Sequence, residues 1–80
     1  MFQGYSLDYT TARRLRKRTI LRTPEYHAVY HLWLEGQIAS MPPAPDPADL
    51  TVSKRSWELS MQIWRRDLQR IVSQSAEDRL

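Results

Sequence analysis

The stretch Ser53-Lys54-Arg55-Ser56-Trp57-Glu58-Leu59-Ser60-Met61-Gln62-Ile63-Trp64-Arg65-Arg66-Asp67-Leu68-Gln69-Arg70-Ile71 decides the fold class of this 80-residue chain. Within it Trp57, Met61, Trp64, Leu68 and Ile71 recur at intervals of four, three, four and three residues. That spacing places apolar side chains on one face of an α-helix and fits no strand, whose faces alternate every second residue. Ser53 or Thr51 can cap the helix, and the polar run from Ser73 onward ends its apolar face, so the pattern predicts a helix over 53–73.

Upstream, Met41-Pro42-Pro43-Ala44-Pro45-Asp46-Pro47 holds four prolines in six residues. Proline lacks the amide donor and fixes φ, so the segment is an extended connector and neither helix interior nor central strand. Before it, Thr23-Pro24-Glu25 reads as a helix start, with a threonine cap, proline at the first helical position and an acid in the first turn. From there Tyr26, Val29, Tyr30, Trp33 and Ile38 form a second apolar stripe. Gly36 weakens its end, giving a helix over 24–37. Asp8 to Ile20 suits a shorter first helix, capped by Asp8 or Thr10. Its apolar set is thin, so it is expected to dock weakly or to order on binding.

The reading is therefore all-α: one three-helix domain over residues 8–74, with a Pro-rich connector before a long C-terminal helix and flexible ends at 1–7 and 75–80. Tyr26, Trp33, Trp57 and Trp64 are assigned to the core with Leu68, because a buried aromatic removes some 150–250 Å² from water and a domain this small has few such contributions.

Composition narrows the function classes. No cysteine is present, so thiolate metal sites and disulfides are excluded. His27 and His31 have i, i+4 spacing but no third ligand beside them, and no Gly-rich phosphate loop or nucleophile–histidine pattern is visible. The expectation is a non-enzymatic protein with no cofactor and no metal. No apolar run approaches the roughly 20 residues of a membrane span, and Met1 to Ser6 lack a signal-peptide pattern, which leads to the expectation of a soluble intracellular protein without a membrane partner.

The net charge is +3, but its distribution says more. Arg13, Arg14, Arg16, Lys17, Arg18 and Arg22 lie within ten residues that contain no acid, and ten of the twelve cations are arginine. A cluster of planar guanidinium forks is an electrostatic footprint for phosphate, which releases its condensed counterions when neutralised. Lys54 and Arg55 add a second feature. They sit in the first turn of the long helix, where the macrodipole favours acids, and an anion at the free N–H groups there would compensate them. Ser53 and Ser56 supply hydroxyls beside them.

Ser53-Lys54-Arg55-Ser56-Trp57, followed after six residues by Trp64 and then Leu68, resembles the Ser-Arg-Arg-Ser-Trp segment of the histone mRNA stem-loop-binding proteins, in which a second Trp follows seven residues after the first and a Leu four beyond it. Asp46-Pro47 with Leu50, Val52 and Ser53 resembles the Thr-Pro-Asn-Lys stretch of that family, and Thr23-Pro24-Glu25-Tyr26 its Asn-Thr-x-x-Tyr element. The three blocks agree in order and spacing over about residues 18–72.

The resemblance implies a three-helix RNA-binding domain that grips the hairpin at the 3′ end of histone mRNA. Arg55 would hold a stem guanine through two hydrogen bonds, worth about 1–3 kcal/mol of discrimination. Lys54, Ser53, Arg18 and Arg22 would hold phosphates and set the register. Gln69 stands where the family has a loop-stacking histidine, Thr19 and Leu21 where it has a stacking tyrosine and a lysine, Asp46 in place of a phosphorylatable threonine, and Asp49 in place of a lysine. The chain would act as an adaptor in processing, stability or translation of the message, in nucleus and cytoplasm, alongside 3′-end processing or exonuclease factors. Two other readings follow from the residues alone. One is a helical protein-interaction module whose basic first helix docks an acidic partner. The other is a helix placed in a DNA major groove.

Overall fold

A computed structural model of the chain describes the backbone from residue 3 to residue 78 and side-chain burial from residue 9 to residue 76. The remainder of the expected flexible ends lies outside the described residues. Three helices follow in order: α1 (Gln3–Leu21), α2 (Pro24–Leu34) and α3 (Lys54–Asp78), with no strand among the described residues. The protein is all-α.

α3 starts where a serine can cap it. Ser53 Oγ accepts from the Ser56 amide at 3.1 Å, and the Trp57 amide donates to Ser53 O at 2.9 Å, closing the first helical turn. Thr51, the other candidate cap, is occupied elsewhere, donating from its amide to Asp49 Oδ1 at 3.0 Å. Trp57, Met61, Trp64 and Leu68 are buried and Ile71 is half-buried, as the spacing requires. The helix runs on to Asp78, past the last residue of its apolar stripe.

α2 is capped by Thr23, whose Oγ1 accepts from the Tyr26 amide at 3.3 Å and donates to Ile20 O at 2.7 Å. This hydroxyl ties the end of α1 to the start of α2. At the other end Gly36 adopts φ +76°, the Gln37 amide donates to Leu32 O at 2.9 Å and the Gly36 amide to Trp33 O at 3.0 Å. This is a Schellman stop, so α2 ends at Leu34 and not at 37 as the stripe suggested.

The buried residues of α2 are Val29 and Leu32, with Tyr26 half-buried at the edge. Trp33, expected in the core, and Tyr30 of the same apolar stripe are 41% and 39% exposed. The packed face is turned toward Leu32 because α3 already supplies Trp57 and Trp64, and the close approach of α2 is made by the compact Val29. α1 is helical from Gln3, so Asp8 and Thr10 lie inside it and cap nothing. It contributes Ile20 and half-buried Leu21 to the core.

Contacts along α3 give the topology. Arg13 lies over Trp57 at 5.1 Å, Arg16 pairs with Glu58 at 3.1 Å, and Ile20 joins the cluster that contains Met61. Further on, the Tyr26 ring meets Trp64 edge to face at 6.0 Å, and Leu32 and Glu35 line a groove with Val72 and Ala76. The numbers climb together, so α1 and then α2 run alongside α3 in the same direction. A helix that folds back side by side on its predecessor through a short loop is antiparallel to it, so for α3 to lie parallel beside α2 the chain needs a long return. Residues 35–53 make that return, with Pro43 and Pro45 against Ile63 and Trp64 and Asp46 O accepting from Trp57 Nε1 at 3.2 Å. The connector is thus the third wall of the core, filled by half-buried Ile38, Met41 and Val52. The assembly is elongated, 55 × 19 × 17 Å.

Candidate nucleic-acid interface

The basic cluster of α1 divides by helical geometry. Tyr9, Arg13, Arg16 and Ile20 recur every three or four residues on the face toward α3, while Arg14, Arg18 and Arg22 recur every fourth residue on the opposite side. Arg14, Arg18 and Arg22 are exposed. Arg18 and Arg22 stand where a phosphate can reach them.

Arg13 does not. It is 3% exposed, a correction to its place in the phosphate footprint. Nη1 donates to Asp49 O at 2.9 Å, Nη2 donates to Val52 O at 3.0 Å and to Tyr9 Oη at 2.7 Å, and the guanidinium lies 4.1 Å from the Tyr9 ring centroid. Both backbone carbonyls belong to the end of the connector. Arg13 therefore fastens that end to α1, its rigid fork aiming three hydrogen bonds at two carbonyls and a hydroxyl. Arg16 is half-committed as well, through its exposed pair with Glu58.

Lys54 and Arg55 are both exposed in the first turn of α3, which contains no acid. Successive helical residues are about 100° apart, so the two side chains leave in different directions. Lys54 lines a groove of about 260 Å³ between α1 and α3, together with Tyr9, Arg13, Arg16, Trp57 and Glu58. Arg55 lies on the side of α3 away from the buried stripe, and among the described residues it has no ion-pair or hydrogen-bond partner. Ser53 is exposed beside them, its oxygen already accepting the Ser56 amide and its hydroxyl hydrogen free to donate.

Gln69 is exposed on the same side of α3 as Arg55, fourteen residues further on, about 21 Å along the axis. The structure thus gathers Ser53, Lys54 and Arg55 at the start of α3, adds Arg16 through the groove, and keeps Gln69 and the Arg14–Arg18–Arg22 row apart from them. Of the residues assigned to the core, Trp57, Trp64 and Leu68 are buried, whereas Tyr26 is half-buried.

The two connector aspartates have structural roles. Asp46 Oδ1 accepts from the Ala48 amide at 2.9 Å, making a turn between Pro45 and Asp49. Asp49 accepts from the Thr51 hydroxyl and amide, and these hydrogen bonds hold its carboxyl below the usual carboxylate value, with Arg13 contributing a smaller share. Arg13 reaches the backbone of Asp49, so the turn and the arginine act on the same residue.

Sequence reasoning missed the exposed aromatic flank of α2. Tyr26 and Tyr30 are stacked with ring centroids 6.4 Å apart at 21°, and Tyr30 and Trp33 follow at 5.8 Å and 52°. The available signal was an excess, since α2 carries more large residues than one face can bury. Among the described residues no group of three metal-ligating side chains occurs around His27 and His31 or elsewhere, and no helix is long and apolar enough to cross a membrane. No family model, curated protein or solved structure matches this chain.

Proposed function

We propose that this all-α protein binds a structured RNA hairpin of the histone-message 3′-end type, as a non-enzymatic adaptor. The observation that carries the reading is the start of α3, where exposed Lys54 and Arg55 stand in a first turn without acid, next to a groove that Arg16 also lines. A cation there opposes the helix macrodipole by about 0.3–1 kcal/mol, and a phosphate reverses the sign of that contribution. Arg55 is free to present a two-donor edge to guanine, while Lys54 and Ser53 hold the backbone that sets its register. Arg18, Arg22 and Gln69 are further contacts in this reading, which places the protein in nucleus and cytoplasm with processing or exonuclease factors as onward partners.

One observation favours a second reading. Arg14, Arg18 and Arg22 form a row on the side of α1 that faces away from α3. A row so placed suits an acidic protein surface as well as phosphate.

The test is binding of a histone-type hairpin and a stem-swapped control by the wild type and by Arg55→Ala. The expected result is a wild-type preference for the authentic stem that Arg55→Ala loses by about 1–3 kcal/mol, with the melting curve unchanged. Equal binding of both RNAs by both proteins would remove Arg55 as a reader. Absence of binding to either would move the function to a protein partner.

A further inference from the structure

The flank of α2 that carries Tyr30 and Trp33 is left partly open to solvent, the two side chains being 39% and 41% exposed. Tyr26 anchors it, being half-buried with its ring against buried Trp64. Tyr30 stacks on Tyr26, and Trp33 continues the series with its ring tilted by 52°. The three rings make a ladder whose inner end is held by the core and whose outer two members are about two-fifths exposed. Holding the rings in place beforehand lowers the entropy lost when a planar ligand stacks on them.

Charge around the ladder decides the kind of ligand. Arg22, exposed, occupies the position just before the Thr23 cap of α2, four and five residues ahead of Tyr26 and His27. It ends the row Arg14, Arg18, Arg22. His27 and His31 are exposed on α2, and their rings meet Tyr26 and Tyr30 edge-on at 6.4 Å. Of the two acids on this element, Glu25 is half-buried on the packed side and Glu35, at the far end, accepts from Gln37 Nε2 at 3.3 Å. A cationic row whose last member precedes the capped start of the helix that bears a run of exposed rings is a combination that suits a single strand, with the cations on phosphates and the rings under bases.

We infer that Tyr30 and Trp33 form a stacking platform for unpaired RNA bases, on a strand that leaves the hairpin and passes the Arg14–Arg18–Arg22 row. The inference rests on the RNA reading above and adds a second subsite to it, remote from Arg55.

The experiment compares three RNAs: a blunt histone-type hairpin, the same hairpin with a ten-nucleotide unpaired extension on either side (about ten suffices to pass the row and the ladder), and the extension alone. Each is titrated against wild type and Tyr30→Ala/Trp33→Ala. Trp33 is the accessible tryptophan, since Trp57 and Trp64 are 2% and 1% exposed, so stacking is also read as loss of acrylamide-quenchable emission. The expected result is that an extension tightens wild-type binding roughly five- to 150-fold per stacked base and protects Trp33, while the double variant binds blunt hairpin as wild type does and gains nothing from the extension. Equal wild-type affinity for blunt and extended hairpins, with Trp33 still quenchable, overturns the platform and leaves the hairpin reading standing. Binding of the free extension through Tyr30 and Trp33, with no binding of the blunt hairpin, does the reverse. Failure to bind any of the three overturns both and leaves the flank to a protein partner. Both substituted residues are exposed, and coincident circular-dichroism melts confirm the fold of the variant.

Discussion

Arg13 shows how one residue type serves two ends in the same run of sequence. Neighbours of the same charge face water, whereas Arg13 directs its donors to Asp49 O, Val52 O and Tyr9 Oη and lies against the Tyr9 and Trp57 rings. Its removal leaves two connector carbonyls without their partner and a void beside Trp57. Arg13→Ala is expected to destabilise the fold by about 2–4 kcal/mol in urea unfolding. Arg13→Lys should recover less than half of that, because an ammonium cannot fork to two separated carbonyls. Arg55 is the counter-case, exposed and unpaired among the described residues, and Arg55→Ala should leave stability within about 0.5 kcal/mol of wild type. A pair of melts on these two variants separates the arginine that holds the fold from the one that does not. Nothing in the local sequence distinguishes them except register, since Arg13 falls in phase with Ile20 and Arg55 out of phase with Trp57.

At the level of the elements, α3 was legible in its buried face, Trp57, Met61, Trp64 and Leu68, and in a start narrowed to Ser53 or Thr51, but its run beyond residue 73 to Asp78 was not. α2 was legible in its start and less so in its orientation. Tyr26, Val29, Leu32, Tyr30 and Trp33 offer two overlapping apolar faces about a sixth of a turn apart or more, and propensity does not choose between them. Packing chose Val29 and Leu32, and the surplus aromatics became a surface. Gly36 acts by conformation alone, for a Cβ built on it meets nothing within 4 Å while its φ is +76°. Gly36→Ala should therefore cost about 1–2 kcal/mol, and Gly36→Asn less, since asparagine tolerates the left-handed region better. Thermal melts of the two variants check the order. α1 was the least legible element, because it is held by a polar hub that no apolar periodicity announces.

Among the described residues, exposed cations lie at Lys54 and Arg55 at the start of α3, at Arg65, Arg66 and Arg70 further along it, and on the outward row Arg14, Arg18 and Arg22. A ligand that spans both helices must be polyanionic and extended, which an RNA with a duplex and an unpaired strand is. The salt dependence of binding reports this directly. Replacing Arg14, Arg18 and Arg22 by glutamine should flatten the plot of log affinity against log salt for the extended hairpin by on the order of two units, at about 0.7–0.9 for each phosphate that is no longer neutralised. The same slope with and without the row would confine RNA to the α3 end and assign the row to another partner.

The sequence by itself determined the all-α class, the long third helix with its buried stripe, the proline connector and the position of the basic residues, because each of these depends on periodicity, capping and backbone restrictions that act over a few residues. Only the tertiary structure decided that α1 and α2 run parallel to α3, that the connector returns as a wall of the core, and that Arg13 is withdrawn from the surface while Tyr30 and Trp33 are left on it. Those outcomes turn on which of several permissible faces meets another element, and burial is settled by contacts between residues some 35–45 positions apart, such as Arg13 with Asp49 and Val52, a range over which local pattern carries no information.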